Sequence, residues 1–213
     1  MVAAPDPASG AGAPAIPAID WPDPEAIKRY VDILASRGIE WGLIGPREAD
    51  RLWDRHILNS IAIAGLLPQG ATMVDVGSGA GLPGIPLALL RPDLTVTLLE
   101  PLLRRYNFLT LTVDELGVGS RVGVIRARAE EHRSVYGVVT CRAVAPLPRL
   151  LRWCLPLVAS GGRLVALKGS SAPAEVEAAG QELRARRARA WVETVPVSGT
   201  RETTSAIIVE RVS

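Results

Sequence analysis

A short β-branched run, Thr72 to Val76, empties directly into Gly77-Ser78-Gly79-Ala80-Gly81, and Leu82-Pro83-Gly84-Ile85-Pro86 then leads into an apolar stretch. A strand that ends on clustered glycines and resumes as a helix is the first turn of a doubly wound α/β sheet, where the chain turns sharply and a ligand comes close to the backbone. The alternation continues downstream. The pattern predicts a helix over 84–90, a strand over 94–99, a helix over 102–116 and strands over 121–126 and 136–141. A helix over 147–158, a strand over 163–167 after Gly161-Gly162 and a helix over 173–188 follow, then strands over 190–196 and 205–211. Apolar strands separated by helices imply a parallel sheet covered on both faces. The last two strands, joined without a helical stretch, predict an antiparallel hairpin. The expected fold class is therefore α/β: a mostly parallel, doubly wound, seven-stranded Rossmann-like sheet with an N-terminal helical extension.

Ahead of the sheet the pattern differs. Residues 1–24 form a Pro/Ala/Gly-rich tail, expected to be mobile. Residues 25–70 read as the helical extension, and 71–213 as the domain built on the glycine loop. Ile27, Tyr30, Val31 and Leu34 recur at helical spacing, with Gly38 as the expected stop. A second helix is predicted after Pro46, with Leu52, Trp53, His56, Ile57 and Ser60 on related turns. No stretch approaches the roughly 20 apolar residues of a membrane helix, and the N-terminus lacks a basic start and an apolar segment. A cytoplasmic protein with no membrane partner is expected. Cys141 and Cys154 are not in a paired motif and read as reduced, buried thiols. His56 and His132 lack ligand spacing, so no metal is expected. The basic side is nearly all arginine, with Lys28 and Lys168 the only lysines, and the net charge is +2. That balance alone says little about nucleic acid.

The glycine loop fits two overlapping patterns. Gly79-x-Gly81-x-x-Gly84 matches the dinucleotide fingerprint. Asp75-x-Gly77-x-Gly79-x-Gly81 matches a loop that binds S-adenosylmethionine (SAM). Gly77, not Gly79, falls at the strand end, where the first glycine of either loop belongs. Asp75 would repel a pyrophosphate but suits the cationic sulfonium and ammonium of SAM. Pro83 and Pro86 each remove an amide donor that a pyrophosphate would use. Glu100 ends the second strand about 20 residues past the loop, where an acid meets ribose hydroxyls. A plain turn-capping role for Asp75 and a helix-capping role for Glu100 are the bland alternatives.

Several motifs together resemble one family. They are Arg55-His56-Ile57-Leu58-Asn59-Ser60, then Asp75 through Pro86, Leu99-Glu100-Pro101-Leu102-Leu103-Arg104-Arg105, Arg128-Ala129-Glu130-Glu131, Cys141-Arg142-Ala143 and Leu167-Lys168-Gly169. Their order and spacing over residues 25–211 resemble the bacterial small-subunit ribosomal RNA guanine-N7 methyltransferases, the RsmG or GidB family. Glu40-Trp41-Gly42-Leu43-Ile44-Gly45-Pro46-Arg47-Glu48 replaces the Trp-Asn and Asn-Leu-Thr pieces of many members and looks like the actinobacterial branch.

The resemblance implies a class I SAM-dependent methyltransferase acting on N7 of a guanine in 16S ribosomal RNA of the small subunit; nothing in the sequence resembles a dimer seam, so a monomer is expected. The resemblance also implies that Gly77 and Leu82 line the methionine and sulfonium part of SAM; Asp75, Ser78, Gly79 and Gly81 of the same loop are further candidate cofactor-binding residues. Glu100 would hold the ribose, and Ala129 and Glu130 would flank the adenine. Arg142 would face the SAM carboxylate or the target base, and with Lys168 it is the candidate catalytic pair. Arg55, His56, Asn59, Ser60, Lys168 and Arg201 are candidate RNA contacts. Set against these, Arg55-His56 would merely pack the extension onto the domain, and Lys168 would be a solvated strand-end residue. Arg184, Arg186, Arg187 and Arg189 read as a solvated helix face or a phosphate grip. Two other classes compete: a nicotinamide-dependent oxidoreductase using Gly79 to Gly84, and a non-catalytic RNA-binding factor that kept the fold.

Overall fold

A computed structural model describes residues 19–142 and 144–212. Most of the expected tail, and Ala143 of the Cys141-Arg142-Ala143 motif, lie outside the described residues. The tail expectation fails at its C-terminal end. Trp21 is buried against the extension, because an indole this close to a helical apolar face gains more from burial than it loses in chain freedom.

Helix α1 (Pro24–Ile33) starts where the sequence supplies a cap. The Asp23 side chain accepts a hydrogen bond from the Ala26 amide at 3.0 Å, and Pro24 occupies the first turn, where its missing N–H costs nothing. Ala26, Ile27, Tyr30 and Val31 face inward. Gly38 does not stop this helix. The chain widens into a π-helical turn over Leu34–Gly38 and remains helical to Glu40. The turn falls at Gly42, whose φ of +66° suits a residue without Cβ, while the Gly38 carbonyl accepts from the Leu43 and Ile44 amides. The second expected helix is irregular. A 3-10 turn at Pro46–Arg51 passes into a π-helical stretch at Leu52–Leu58, then the single turn α2 (Asn59–Ile61) and another 3-10 turn at Ala62–Leu66.

Seven strands follow: β1 (Thr72–Val76), β2 (Thr95–Leu99), β3 (Val122–Ile125), β4 (Tyr136–Arg142), β5 (Val158–Lys168), β6 (Ala188–Pro196) and β7 (Thr203–Arg211). They form one sheet in the order β3-β2-β1-β4-β5-β7-β6. The first five run parallel, and β7 pairs antiparallel with both β5 and β6, so the hairpin is as expected. Helices α3 (Gly84–Leu90), α4 (Leu103–Glu115), α5 (Leu147–Trp153), α6 (Ala172–Ala178) and α7 (Gly180–Ala185) cover it. Side chains alternate between the two faces with period 2. Met73, Val96, Leu98, Val138, Val165 and Ile208 pack with the extension, α3 and α4. Val74, Val139, Cys141, Leu164, Ala166 and Ile207 pack with α5, α6 and α7.

Three expected boundaries move. The helix over 147–158 ends at Trp153, because Pro156 has no N–H to continue the ladder. Strand β5 then begins at Val158 instead of 163, and its pairing with β4 shifts register between Tyr136 and Val138. The helix over 173–188 is two short helices interrupted at Ala179, and Arg187, with φ of 49°, turns the chain into β6. Cys141 and Cys154 are both free and buried, as expected.

Candidate active site

The sheet order reverses direction between β1 and β4, so the loops leaving their carboxyl ends part and open a crevice. Two side-chain sets frame it: the glycine loop after β1, and Arg142 at the end of β4.

The loop is clamped from below by Asp75. Its Oδ2 accepts from Ser78 Oγ at 2.6 Å and from the Gly84 amide at 3.0 Å, while Oδ1 is buried and has no partner among the described residues. Burial pushes the Asp75 carboxyl up to about 6, against the pull of those two hydrogen bonds. Gly84 has no room for a side chain, since a Cβ there would lie 2.5 Å from Leu98 Cδ2 and 2.8 Å from Asp75 Oδ2. From above, Tyr30 of α1 donates its hydroxyl to the Ala80 carbonyl at 2.8 Å. Burial raises this phenol well above its ordinary value. Glu100 ties β2 to the loop: Oε2 accepts from the Gly79 amide and Oε1 from the Leu102 amide, both at 3.0 Å.

A cavity of about 540 Å³ lies over this loop, lined by Gly77, Ser78, Gly79, Leu82, Glu100 and Arg142 among others. It shares Gly77, Pro101, Arg128 and Val144 with a narrow apolar slot of about 110 Å³, closed by Ala129, Glu130 and Trp153. On the other side it shares His56, Arg142 and Val144 with a cavity of about 640 Å³ lined by Arg55, Asn59, Leu167 and Lys168. Arg55 and Asn59 continue into a groove of about 550 Å³ against the β6–β7 turn, where Arg201 lies. The slot, the two cavities and the groove thus form one track across the carboxyl edge of the sheet.

Arg142 stands at the junction. Its Nη2 lies 3.0 Å from His56 Nδ1, and its Nη1 reaches the Arg55 and His56 carbonyls at 3.5 and 3.4 Å. A guanidinium only donates, so His56 Nδ1 accepts and the ring proton sits on Nε2, 3.1 Å from Glu48 Oε2. Burial, and then the Arg142 charge, hold the imidazole below its ordinary value despite Glu48, so it is neutral at pH 7. Burial likewise lowers Arg142. Lys168 Nζ donates to the Ala145 carbonyl at 2.6 Å and to Glu175 Oε2 at 2.7 Å. Burial of Glu175 would raise its carboxyl, but hydrogen bonds from Lys168, the Leu147 amide and Ser171 outweigh it and lower the value.

This architecture is shared with known methyltransferases. An O-methyltransferase of neocarzinostatin biosynthesis, solved with S-adenosyl-L-homocysteine, superposes with a TM-score of 0.61 at 16% identity, over 83% of this chain and 61% of that one. The B. subtilis m1A22 tRNA methyltransferase TrmK gives 0.55 at 14% identity, over 72% and 65%. At such identities the likeness speaks for the fold alone. Sequence relatives go further. The small-subunit ribosomal RNA methyltransferase G of Kineococcus radiotolerans is 54% identical over 170 residues, 79% of this chain and 67% of the relative. Its counterparts in Mycobacterium avium (53%, over 80% and 71%) and Corynebacterium jeikeium (49%, over 86% and 84%) agree. The family described as GidB, rRNA small subunit methyltransferase G, matches residues 23–203. The chain belongs to the GidB family. The actinobacterial likeness of the extension agrees with these relatives.

Within this GidB chain the expected site residues divide. Gly77, Ser78, Gly79, Leu82 and Glu100 line the loop cavity, and Ala129 and Glu130 line the slot. Asp75 and Gly81 do not line the loop cavity; both lie beneath or within the turn. The Asp75 charge therefore acts from under the loop, because its carboxylate is spent on clamping it. Ser60 is a correction. It is buried, and its Oγ donates to the His56 carbonyl at 2.5 Å, so it presents nothing to a surface. Lys168 is not a solvated strand-end residue, being bound to Glu175 at the cavity wall. The arginine run is not a single helix face: Arg184 lies in α7, Arg187 in the turn, and Arg189 in β6, paired with Glu210. Sequence reasoning missed Glu48, Val144, Trp153 and Glu175, and took Tyr30 only as a core residue. A tyrosine on a buried helix face was a usable signal, because its hydroxyl needs a partner.

Proposed function

We propose that this chain transfers a methyl group from SAM to N7 of one guanine in 16S ribosomal RNA of the small subunit. Membership of the family supports the cofactor and the RNA class. The observation that carries the atom-level reading is the shared wall between the two cavities. The side chains at that wall offer no base: both His56 ring nitrogens are engaged, by Arg142 and Glu48, and Arg142 only donates. A site without a base suits an acceptor that brings its own lone pair, as guanine N7 does.

The loop cavity fits SAM chemically. Glu100 spends one lone pair of each oxygen on amides and keeps the others for ribose hydroxyls. The apolar slot beside Ala129 and Trp153 suits an adenine, and the buried Asp75 carboxylate supplies negative charge beneath the loop. SAM supplies a methyl group on a cationic sulfur. The chain's part is to position the guanine in line with that methyl and to keep water out. Arg142, common to both cavities, is the proposed catalytic residue, facing the SAM carboxylate or the base. The larger cavity would receive the base once it leaves its stack. Arg55, Asn59 and Arg201 would follow the RNA along the groove, His56 would line its path at the cavity junction without a free ring nitrogen, and Lys168, with two of its three N–H donors used, would offer the third. We place the enzyme in the cytoplasm as a monomer, which light scattering of the purified chain checks.

The test uses small subunits from cells lacking this methylation. Incubation with methyl-labelled SAM, reduction and cleavage at N7-methylguanine should give one break in 16S RNA. Label absent from RNA, with SAM still bound, would reject the RNA assignment and leave the cofactor site standing.

A further inference from the structure

Arg142 is held by contacts of unequal quality. Its distances to the Arg55 and His56 carbonyls and to Ser60 Oγ are 3.4 to 3.5 Å, at the limit of a hydrogen bond, whereas His56 Nδ1 lies at 3.0 Å. The imidazole therefore aims the guanidinium. It does so only while Nδ1 is bare, and a free neutral histidine is at liberty to carry its proton on either nitrogen. Glu48 removes that liberty. Its Oε2 accepts from Nε2 at 3.1 Å, while Oε1 takes Arg55 Nη1 at 3.1 Å. Glu48 lies in the 3-10 turn, His56 in the π-helical stretch and Arg142 at the end of β4, so the chain of contacts runs from the helical extension to the cavity junction.

We propose that Glu48 and His56 are positioning residues, a carboxylate–imidazole relay that fixes the His56 tautomer and thereby holds Arg142 at the junction of the two cavities. This rests on the functional reading above for its effect on turnover, but not for its geometry. Protonating His56 puts a donor and a positive charge against the guanidinium and breaks the relay. The charges facing His56 are Arg142, Glu48 and Arg55, and Arg142 is also faced by Asp75 of β1 and by the Tyr30 phenol of α1. Turnover should therefore fall on the acid side as His56 titrates, below pH 6.5, although methyl transfer to N7 requires no base.

Two measurements decide it. Nitrogen-15 spectra of the two histidines, with His132→Gln to assign them, should show His56 as the Nε2–H tautomer in the wild type and in Glu48→Gln, whose amide oxygen still accepts. In Glu48→Ala the Nδ1–H form should appear. Methylation kinetics on small subunits should show kcat of Glu48→Ala about tenfold down, the worth of one hydrogen bond to a charged group. Glu48→Gln should retain most of kcat and move the acid limb to lower pH, since the carboxylate that favours the imidazolium is gone. A wild-type Nδ1–H tautomer, or equal losses in both variants with an unmoved acid limb, would overturn the relay. Should the tautomers behave as stated while no RNA is methylated, the relay stands and the functional reading falls.

Discussion

A buried carboxylate under a loop that meets a cation leaves two measurable marks, and Asp75 is the residue that should show them. Its carboxyl titrates at about 6 in the folded chain against an ordinary 3.8. The folded state thus binds a proton more tightly than the unfolded state, so stability contributed by the protonated form is present below about pH 4 and is lost as pH rises to about 6. The loss is on the order of 3 kcal/mol. Asp75→Asn keeps an oxygen to accept from Ser78 and Gly84 and removes the charge. Urea titrations should show the variant losing far less stability than the wild type between pH 4 and 6. Calorimetry should show SAM affinity falling roughly tenfold while S-adenosyl-L-homocysteine, which has no sulfonium, changes little. Equal losses for both ligands would reduce Asp75 to a mechanical clamp. The sequence shows this residue plainly, because the loop is local: Asp75, Ser78 and Gly84 lie within ten positions. It does not show Glu48 or the fate of Lys168, because their partners are fixed by the tertiary fold. The His56–Arg142 contact spans 86 positions, and the partner of Lys168, though near in sequence, depends on where α6 docks.

At the scale of elements, what was legible followed a simple period. The strand patterns located all seven strands, since each is a short apolar or β-branched run set off by turn residues, and α1 was visible because its apolar residues recur every three to four positions. What was missed lay where backbone geometry departs from those periods: the π-helical turns at Leu34–Gly38 and Leu52–Leu58, and the early start of β5. Helix α1 also carries a contact that period alone cannot announce. Its Tyr30 hydroxyl is the hydrogen-bond donor to the Ala80 carbonyl, which ties the extension to the glycine loop. Tyr30→Phe retains the ring in its buried place and strands that carbonyl, a loss of about 1–2 kcal/mol. The urea midpoint should drop accordingly, and SAM affinity should weaken because the loop loses its upper support. A midpoint within error of the wild type would mean that water replaces the phenol.

For the molecule as a whole, the question is whether the helical extension is an appendage or part of the fold. One buried cluster runs from Trp21, Ile27, Tyr30 and Leu34 through Trp53 and Ile57 to Met73, Val96, Leu98 and Val165 of the sheet. Cutting it at residue 70 would leave α3 and α4 on that face but bare the share of it, and of α3, that the extension covers. Parallel strands are not stable with a face in water. We therefore treat residues 25–70 and the sheet as one cooperative unit. Replacing Trp153 and Trp191 by Phe leaves Trp21, Trp41 and Trp53, all N-terminal to β1, as the only indole reporters. Their unfolding in urea should coincide with that of the sheet followed by circular dichroism, in a single transition. SAM at about 100 times its dissociation constant should shift both probes together, by about 2.7 kcal/mol. An indole transition that precedes the sheet, or one that SAM leaves in place, would make the extension a separately melting element. The loop's hold through Tyr30 and the Glu48–His56–Arg142 relay would then be contacts that open before the fold is lost, instead of part of what holds it.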